Sequence, residues 1–543
     1  MLEAWVPPTT CVGRARLATR ERHGQAPRCA VPSRSFRPPS PDRAAARGDV
    51  TNGPGRRSAG QGGSPAKVVC RAKGSPSMST STPVTDGSGE LRYEDLVATF
   101  ERAAKPNLQD HRIGTELECF GVRIDEHPRP VTYRDDVLPT LEALRDEMGW
   151  REGPSRGRNG ALVELVRDGA SITLEPGGQL ELSGAPLATL HETCAELSRH
   201  ERELDAISRD RHLVWIATGF HPFARLDEID WMPKPRYDIM RSYLPTRGRR
   251  ALDMMARTCT VQANFDFRSE DDCGRRLRLA FALGPVITAL FANSPYEEGR
   301  YAGYRSLRME VWFHVDPDRC GVPEFVFDDG FSFSRYVDWA LDVPMFFVVR
   351  DGRYHRYHET FRTFMTKGFA TEDGRRFHAT YADWLLHLST LFPNVRLKPY
   401  LEVRTADSVP RPYVCTLPAL WKGLLYDEDA QERACALVRH LSRPALLDLW
   451  AEARRAGLAS ERIRRLCADL VDAAWTGLDR QDVRDATGRP ETRFLEPARR
   501  LVQEGRSPAD ILLERLGPNP GTGDEARRTL CAATRFAGAP GPA

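Results

Sequence analysis

One short segment of the chain carries carboxylates at a spacing that suits metal binding. In SITLEPGGQLELSG (residues 171–184), apolar and polar residues alternate, and the polar positions include Glu175, Gln179 and Glu181. Successive side chains of a β-strand point to opposite faces, so this alternation predicts strand structure with one apolar and one acidic face. Carboxylates crowded on one face raise each other's pKa unless cations neutralise them. Their oxygen atoms favour Mg²⁺ or Mn²⁺ over Zn²⁺.

Three further segments show the same division into an apolar and a polar face, namely residues 112–122, 260–267 and 397–404. Their polar positions hold Glu116, Glu118, Gln262, Asn264, Glu402 and Arg404. A single segment of this kind is typical of a surface strand with a solvated face. The set as a whole favours a shared site, because like charges that face each other across a sheet destabilise it. We therefore predict a sheet face that holds metal ions and, through them, a nucleotide, with Arg404 close to charge that develops on the transferred group.

The composition disfavours several other functions. Residues 1–77 hold 12 Arg and 2 Lys against 2 Asp and 2 Glu, which gives this segment a net charge of +10. The net charge of the whole chain is +3, so the remaining residues carry a net charge of −7. An acidic body is a poor candidate for binding nucleic acid. The longest apolar run, residues 280–292, is too short to span a bilayer. The sequence has no Walker loop and no G-x-G-x-x-G after a predicted strand. Its cysteines are scattered and show no zinc-type spacing, so we expect a reduced, intracellular protein.

The first 77 residues are rich in Arg, Ser, Pro, Gly and Ala and lack hydrophobic periodicity. Such a segment cannot bury enough apolar surface to fold, so we predict disorder. It has two interpretations, an organellar transit peptide or a mis-assigned start that should lie at Met78. The opening MLEAWV is not typical of a transit peptide. We therefore favour Met78 and a cytoplasmic location, with the plastid as the alternative.

Longer motifs give the chain a resemblance to glutamate–cysteine ligases of the plant and proteobacterial type. The motifs occur in order between about residues 90 and 515 and include RIGTELE, EPGGQLELSGAP, MPKPRYDIMRSYLP, LDMMARTCTVQANFDF and LFPNVRLKPYLEVRTAD. The combination of EPGGQLELS with RYDIM is far more specific than any short nucleotide-loop pattern. The resemblance implies an α+β, glutamine synthetase-like fold, in which helices back a curved, mainly antiparallel sheet and the active-site funnel lies on its concave face.

The implied reaction joins glutamate to cysteine with ATP through a γ-glutamyl phosphate, which is the first step of glutathione biosynthesis. Mg²⁺, with Mn²⁺ as an alternative, is the implied metal, and the only implied partners are these small substrates. The ligase domain is expected over residues 78–516, with a helical subregion from about residue 424. The Gly-rich residues 517–543 are expected to form a flexible tail. We expect a monomer or a redox-dependent homodimer.

The resemblance also assigns roles to individual residues. The metal positions correspond to Glu116, Glu118, Glu175, Glu181, Gln262 and Glu402. Arg404 corresponds to an arginine at the nucleotide phosphates, with Lys398 and Asn264 as weaker candidates for nucleotide contact. Arg308 corresponds to the arginine that binds the α-carboxylate of glutamate, with Trp312 as a wall of that pocket. The segment that flanks the substrate contains Arg236, Tyr237 and Arg241.

Cysteines supply a further expectation and a departure from the plant pattern. Cys194 and Cys415 correspond to a pair that forms a redox-sensitive disulfide in this family, although two buried thiols that never bond are equally open. No cysteine occurs between Cys320 and Cys415, so the second redox pair of the plant branch is missing.

Two functional alternatives also stay open. One is a related ligase with another amine acceptor or a role in ergothioneine synthesis, and the other is a non-catalytic glutamate or nucleotide sensor.

Overall fold

The structure is a computed structural model that describes residues 91–327 and 330–538. The prediction of disorder for residues 1–77 concerns a part of the chain outside this description. Within the described ranges, none of the helices combines the length and the apolar character needed to cross a membrane.

An eleven-stranded sheet forms the centre of the fold. Its strands are β1 (Ile113–Arg123), β2 (Arg129–Pro130), β3 (Arg151–Glu152), β4 (Glu164–Arg167), β5 (Ala170–Leu174), β6 (Leu180–Ser183), β7 (Leu213–Ile216), β8 (Thr260–Phe265), β9 (Val395–Leu397), β10 (Leu401–Asp407) and β11 (Arg535–Gly538). The main order is β9-β10-β8-β1-β6-β5-β4-β3, while β2 and β7 pair with the far half of β1 and β11 pairs with β7. All these pairings are antiparallel. The predicted α+β class with a mainly antiparallel sheet is confirmed.

Helices surround this sheet. They are α1 (Tyr93–Glu101), α2 (Leu138–Met148), α3 (Leu190–Ser208), α4 (Pro235–Tyr243), α5 (Ala251–Arg257), α6 (Glu270–Leu290), α7 (Leu307–Trp312), α8 (Phe333–Asp342), α9 (Phe361–Lys367), α10 (Tyr381–Leu388), α11 (Thr416–Leu425), α12 (Glu428–Val438), α13 (Arg443–Ala456), α14 (Glu461–Gln481), α15 (Glu496–Glu504), α16 (Pro508–Leu516) and α17 (Asp524–Thr534). Four two-stranded sheets pair Tyr296–Glu297 with Arg300–Tyr301, Cys320–Gly321 with Phe392–Pro393, Phe347–Arg350 with Arg353–Arg356, and Phe369–Ala370 with Arg376–Phe377. Helix α6 packs on β10 and helix α11 packs on β8.

The central strands are buried on both faces. In β8, the apolar side chains Val261, Ala263 and Phe265 belong to the main hydrophobic core. The polar side chains Gln262 and Asn264, on the other face, are buried as well. The alternative of a surface strand with a solvated face is therefore wrong for β8, because protein covers its polar face too.

Two predicted strands are hairpins. Residues 171–184 contain β5, a turn at Pro176–Gly178 and β6, so the residues on either side of the turn run in opposite directions. Residues 397–404 likewise contain the end of β9, a turn at residues 398–400 and the start of β10. Alternation continues through both turns, so periodicity alone did not reveal the reversal.

The C-terminal segment also differs from expectation. Residues 524–538, predicted as part of a flexible tail, form α17 and β11. Leu530 and Cys531 of α17 are buried in the hydrophobic cluster that also contains residues of β7. The Gly-rich stretch before Asp524 is a loop that connects α16 to α17. The residues after it are ordered because the apolar side chains of α17 pack against β7.

Candidate active site

Acidic and amide side chains from distant segments share one face of neighbouring strands. In the antiparallel register, Glu118 of β1 lies opposite Glu181 of β6, and Glu116 lies opposite Gln262 of β8. Glu402 of β10 lies opposite Asn264 of the same β8. Directly opposed residues of an antiparallel pair project from the same face. The predicted convergence of these side chains is therefore present in the fold.

Three of these carboxyl groups lie in an environment that disfavours their charged form. Burial and the nearby Glu402 raise the pKa of Glu116 to about 7. Burial, followed by repulsion from Glu175, raises the pKa of both Glu118 and Glu181. A cation placed among these carboxylates would reverse the effect of burial and repulsion.

Hydrogen bonds hold the same carboxylates in place. Glu118 Oε2 accepts from the backbone N–H of Thr260 at 3.0 Å, and Glu181 Oε2 accepts from Thr173 Oγ1 at 2.6 Å. Glu116 Oε1 accepts from Asn264 Nδ2 at 2.9 Å, so Asn264 orients a carboxylate. Each bond leaves further acceptor capacity on its carboxylate.

Glu402 differs from the other predicted metal ligands because cations already occupy both of its oxygens. Arg396 binds it in bidentate fashion, with Nε to Oε2 at 2.9 Å and NH2 to Oε1 at 2.6 Å. Lys398 Nζ lies 3.1 Å from Oε2, and Arg404 NH1 contacts Oε1. Although burial opposes ionisation, these cations hold the pKa of Glu402 well below its usual range. Glu402 therefore orders a cluster of cations in this structure.

The side chains as they stand do not form a finished metal site. Across residues 91–327 and 330–538, no group of three or more His, Cys, Asp or Glu side chains is arranged to hold a metal ion. Gln262, predicted as a metal ligand, instead accepts a hydrogen bond from Arg404 NH1 at 2.8 Å. The predicted ligands are gathered on one face, but their side-chain conformations are set by neighbouring protein groups.

Arg308 is a buried guanidinium with unused hydrogen-bonding capacity. It lies on α7, is 2% exposed, and donates from NH2 to the carbonyl oxygen of Arg404 at 3.1 Å. Its Nε and NH1 have no acceptor within the described chain. Burial lowers its pKa, whereas the charges of Asp407 and Glu118 raise it. Nε and NH1 lie on different edges of the planar guanidinium, and each shares its edge with NH2, so one free donor for a carboxylate ligand remains on each edge.

Trp312 joins the two predicted arginines of the site. The guanidinium carbons of Arg308 and Arg404 each lie 5.8 Å from the centroid of its ring. The indole Nε1 has no hydrogen-bond partner in the described part of the chain. Trp312 therefore lies next to both predicted arginines, and its role as a pocket wall stays a prediction.

Helix α4 brings some of its predicted residues to the acidic face. The hydroxyl of Tyr237 donates to the carbonyl oxygen of Leu174 at 2.7 Å and lies 3.5 Å from Glu175 Oε1. Arg236 is half-buried, with its guanidinium 6.0 Å from the ring of Phe347. Arg241 does not join them, because it is exposed and stacks on another aromatic ring, that of Trp231, at 4.3 Å.

Two cations of the site were not predicted from the sequence, and the amide of Gln179 lies on the polar face for a structural reason. Lys234 Nζ lies 5.5 Å from the ring centroid of Tyr237 and is attracted by Glu175 and Glu181. Arg396 was missed because the hairpin that places it opposite Glu402 was taken for a single strand. Gln179 has a structural role, since its buried amide donates to the carbonyl oxygens of Met255 and Thr258 and accepts from Gly177 N–H.

Comparisons with known proteins address the family. The model of glutamate-cysteine ligase family 2 matches residues 112–533. The chain belongs to this family. The chloroplastic glutamate–cysteine ligase of Brassica juncea is 41% identical over 441 residues, covering 78% of this chain and 81% of that protein. The chloroplastic enzyme of Nicotiana tabacum is 40% identical over 455 residues, covering 82% and 84%.

A solved glutamate–cysteine ligase gives a more distant similarity. The enzyme from Francisella tularensis in complex with AMP aligns with a TM-score of 0.48 and 14% identity, covering 79% of this chain and 88% of that chain. The plant relatives of the glutamate–cysteine ligase family are named chloroplastic. Whether this chain has a transit peptide depends on residues 1–77, which lie outside the described structure.

The cysteine pair expected from the family is close together as free thiols. Cys194 lies on α3, and Cys415 precedes the first residue of α11. Burial raises the pKa of Cys194, while its hydrogen bond to Cys415 lowers the pKa of the latter. A disulfide between them stays a prediction, supported by this thiol–thiol contact.

Proposed function

We propose that the chain is a glutamate–cysteine ligase that forms γ-glutamylcysteine from glutamate, cysteine and ATP through a γ-glutamyl phosphate. Family membership supports the reaction. The observation that carries the assignment to this site is a buried guanidinium, that of Arg308, with two free donors beside a sheet face lined by carboxylates. The first arrangement suits an amino-acid carboxylate and the second suits a metal–nucleotide complex.

The chemistry of the donor set suits Mg²⁺, although the carboxylates would have to turn towards a shared ion. Glu116 is a buried oxygen donor and Glu118 and Glu181 are half-buried ones, and their surroundings disfavour the charged form of all three. Glu175 follows β5 next to Glu118 and Glu181. We propose that these four carboxylates hold the metal, with Mn²⁺ as a substitute. When bound, the metal would screen the phosphate charges that a second anion must approach. We propose that Glu402 acts mainly by ordering the cations around it, in contrast to the ligand role expected from the resemblance.

The other residues bind and orient the reactants. Arg308 binds the α-carboxylate of glutamate, and Trp312 limits the movement of that carboxylate between the two arginines. Arg404 and Lys398 meet the nucleotide phosphates, while Glu402 holds both cations in place. Tyr237 fixes the end of β5 and with it Glu175. Phosphorylation converts a poor acyl donor into a good one, so placing two anions in line is the main task of the site.

An assay of the purified chain tests the proposal. We expect ADP and γ-glutamylcysteine to form together only when glutamate, cysteine, ATP and Mg²⁺ are all present. Replacing cysteine by other amino acids or amines tests the acceptor, and ADP release that favours another amine would refute the cysteine assignment. If no acceptor supported amino-acid-dependent ADP release, the assignment of the chain as an ATP-dependent ligase would be refuted.

A pair of matched variants locates the activity. Glu118→Gln removes a proposed ligand, and we expect a loss of turnover of at least about a hundredfold, the scale for removal of an electrostatic group that acts on the transition state. Glu203→Gln is the control, because Glu203 is also buried but pairs with Arg167 outside the site. If Glu118→Gln turned over as fast as the active control Glu203→Gln, the acidic face would be excluded as the active site.

A further inference from the structure

A second buried carboxylate, Asp407, lies near Arg308 without forming an ion pair with it. Asp407 is the last residue of β10 and has no solvent exposure. The negative charge of Asp407 favours the charged form of Arg308, and the positive charge of Arg308 favours the charged form of Asp407. No ion pair within 4 Å joins them in the described chain. The proposed reaction does not use Asp407 directly, so its burial calls for a physical reason.

Three hydrogen-bond donors occupy the oxygens of Asp407. Oδ2 accepts from the backbone N–H of Asn293 at 2.8 Å and from Ser294 Oγ at 2.6 Å. Oδ1 accepts from Ser306 Oγ at 2.8 Å. Because these donors satisfy the carboxylate, it supplies compensating charge without occupying the free donors of Arg308.

The two serines link Asp407 to the first turn of α7. Ser306 is the N-cap of this helix, and its Oγ accepts from the backbone N–H of Met309 at 3.2 Å. Ser294 Oγ accepts from the backbone N–H of Arg308 at 3.1 Å. Each hydroxyl therefore donates to Asp407 and accepts from α7, which fixes the backbone of Arg308 relative to β10.

The neighbouring backbone leaves room for this carboxylate. A Cβ atom on Gly219 would lie 2.3 Å from Cγ of Asp407. Real Cβ atoms do not approach other atoms so closely. The absence of a side chain at Gly219 is thus required for the position of Asp407.

We propose that Asp407 is a positioning residue for glutamate binding. Through Ser294 and Ser306 it holds the first turn of α7 so that the free guanidinium donors of Arg308 remain available to the substrate carboxylate. This inference deepens the proposed function and rests on it, because it assumes that Arg308 binds glutamate.

Ser294→Ala is the first test, since it removes the link to Arg308 and keeps both charged groups. We expect the glutamate KM to rise at least about threefold, the effect of one lost hydrogen bond, with kcat and the KM values for ATP and cysteine unchanged. Ser208→Ala is the matched control. Ser208 is a buried serine whose hydroxyl accepts from Trp215 Nε1 outside the site, so this variant should lower the melting temperature and leave the glutamate KM unchanged.

Asp407→Asn is the second test, and we expect it to raise the glutamate KM about tenfold or more, because it weakens both the hydrogen bonds and the charge compensation. Glutamate Kd from calorimetry provides a readout that does not need turnover. If the wild-type protein is active, two results for Ser294→Ala would overturn the inference and leave the proposed function intact. One is an unchanged glutamate KM, and the other is an equal change in the KM values for glutamate, ATP and cysteine. Wild-type protein that neither turns over nor binds glutamate would overturn both.

Discussion

Arg308→Lys tests the substrate site most directly. Arg308 is buried and uses one nitrogen, NH2, in a protein hydrogen bond, so Nε and NH1 remain for the ligand. Lysine keeps the positive charge but lacks the planar pair of donors that a carboxylate binds in bidentate fashion. The substitution therefore separates the contribution of geometry from that of charge.

The structure sets the size of the expected effect. A carboxylate that accepts from one edge of the Arg308 guanidinium, through its free donor and the second hydrogen of NH2, would gain two charge-assisted hydrogen bonds, and lysine can replace one of them. A hydrogen bond to a charged group contributes about 1.5–3 kcal/mol. Its loss corresponds to a rise in the glutamate KM of about 10- to 150-fold. The KM for ATP should stay within about twofold, because we place the nucleotide at Arg404 and Lys398.

Initial rates of ADP release at varied glutamate and varied ATP measure both constants. Arg276→Lys is the control, since Arg276 is equally buried but pairs with Asp272 and donates to the carbonyl oxygen of Asp266. We expect this control to lose stability and keep the glutamate KM. An unchanged glutamate KM in Arg308→Lys, or an equal rise for ATP, would refute the assignment of Arg308 to the amino-acid carboxylate.

The remaining predictions concern the metal and the thiols. We expect Glu175→Gln to abolish turnover with circular dichroism unchanged, and near-normal turnover at saturating Mg²⁺ would contradict its role as a ligand. Burial and Glu402 raise the pKa of Glu116 from 4.5 to about 7, so its contribution to stability is present below its unfolded pKa and is lost as the pH rises through about 7. We therefore expect Mg²⁺ to raise the melting temperature more at about pH 8 than at about pH 5, and equal shifts would count against metal binding at this carboxylate. We expect dithiothreitol and Cys194→Ser to lower activity alike if Cys194 and Cys415 form a disulfide, whereas equal activity of the oxidised and reduced enzyme would exclude redox control.

The site was predictable in outline because alternation in a strand reveals which residues share a face. Glu116 with Glu118, and Gln262 with Asn264, were assigned to polar faces that the structure confirms as one surface. The details were not predictable, because side-chain partners depend on neighbours in space. The three cations around Glu402 and the bond from Arg404 to Gln262 follow from the register of β8, β9 and β10.

The C-terminal segment shows the same limit from the opposite direction. Its Gly-rich start predicted a tail, and local sequence contains no sign of the apolar partner that residues 524–538 find at β7. Arg308 was selected only through a motif, since a lone arginine in a sequence is most often a solvated surface residue. Burial of its guanidinium with two free donors became visible only in the folded chain.

By itself, the sequence determined the acidic strand faces through periodicity, and its ligase motifs implied the α+β class through resemblance to a family, because periodicity and motifs are local properties of the chain. The tertiary structure decided which carboxylates remain uncompensated and which already bind cations, as Glu402 does. It also placed Asp407 near Arg308, although 98 positions separate them in the chain. The physical reason is that charge compensation depends on distances in space, and strand pairing sets these distances between residues that are remote in sequence.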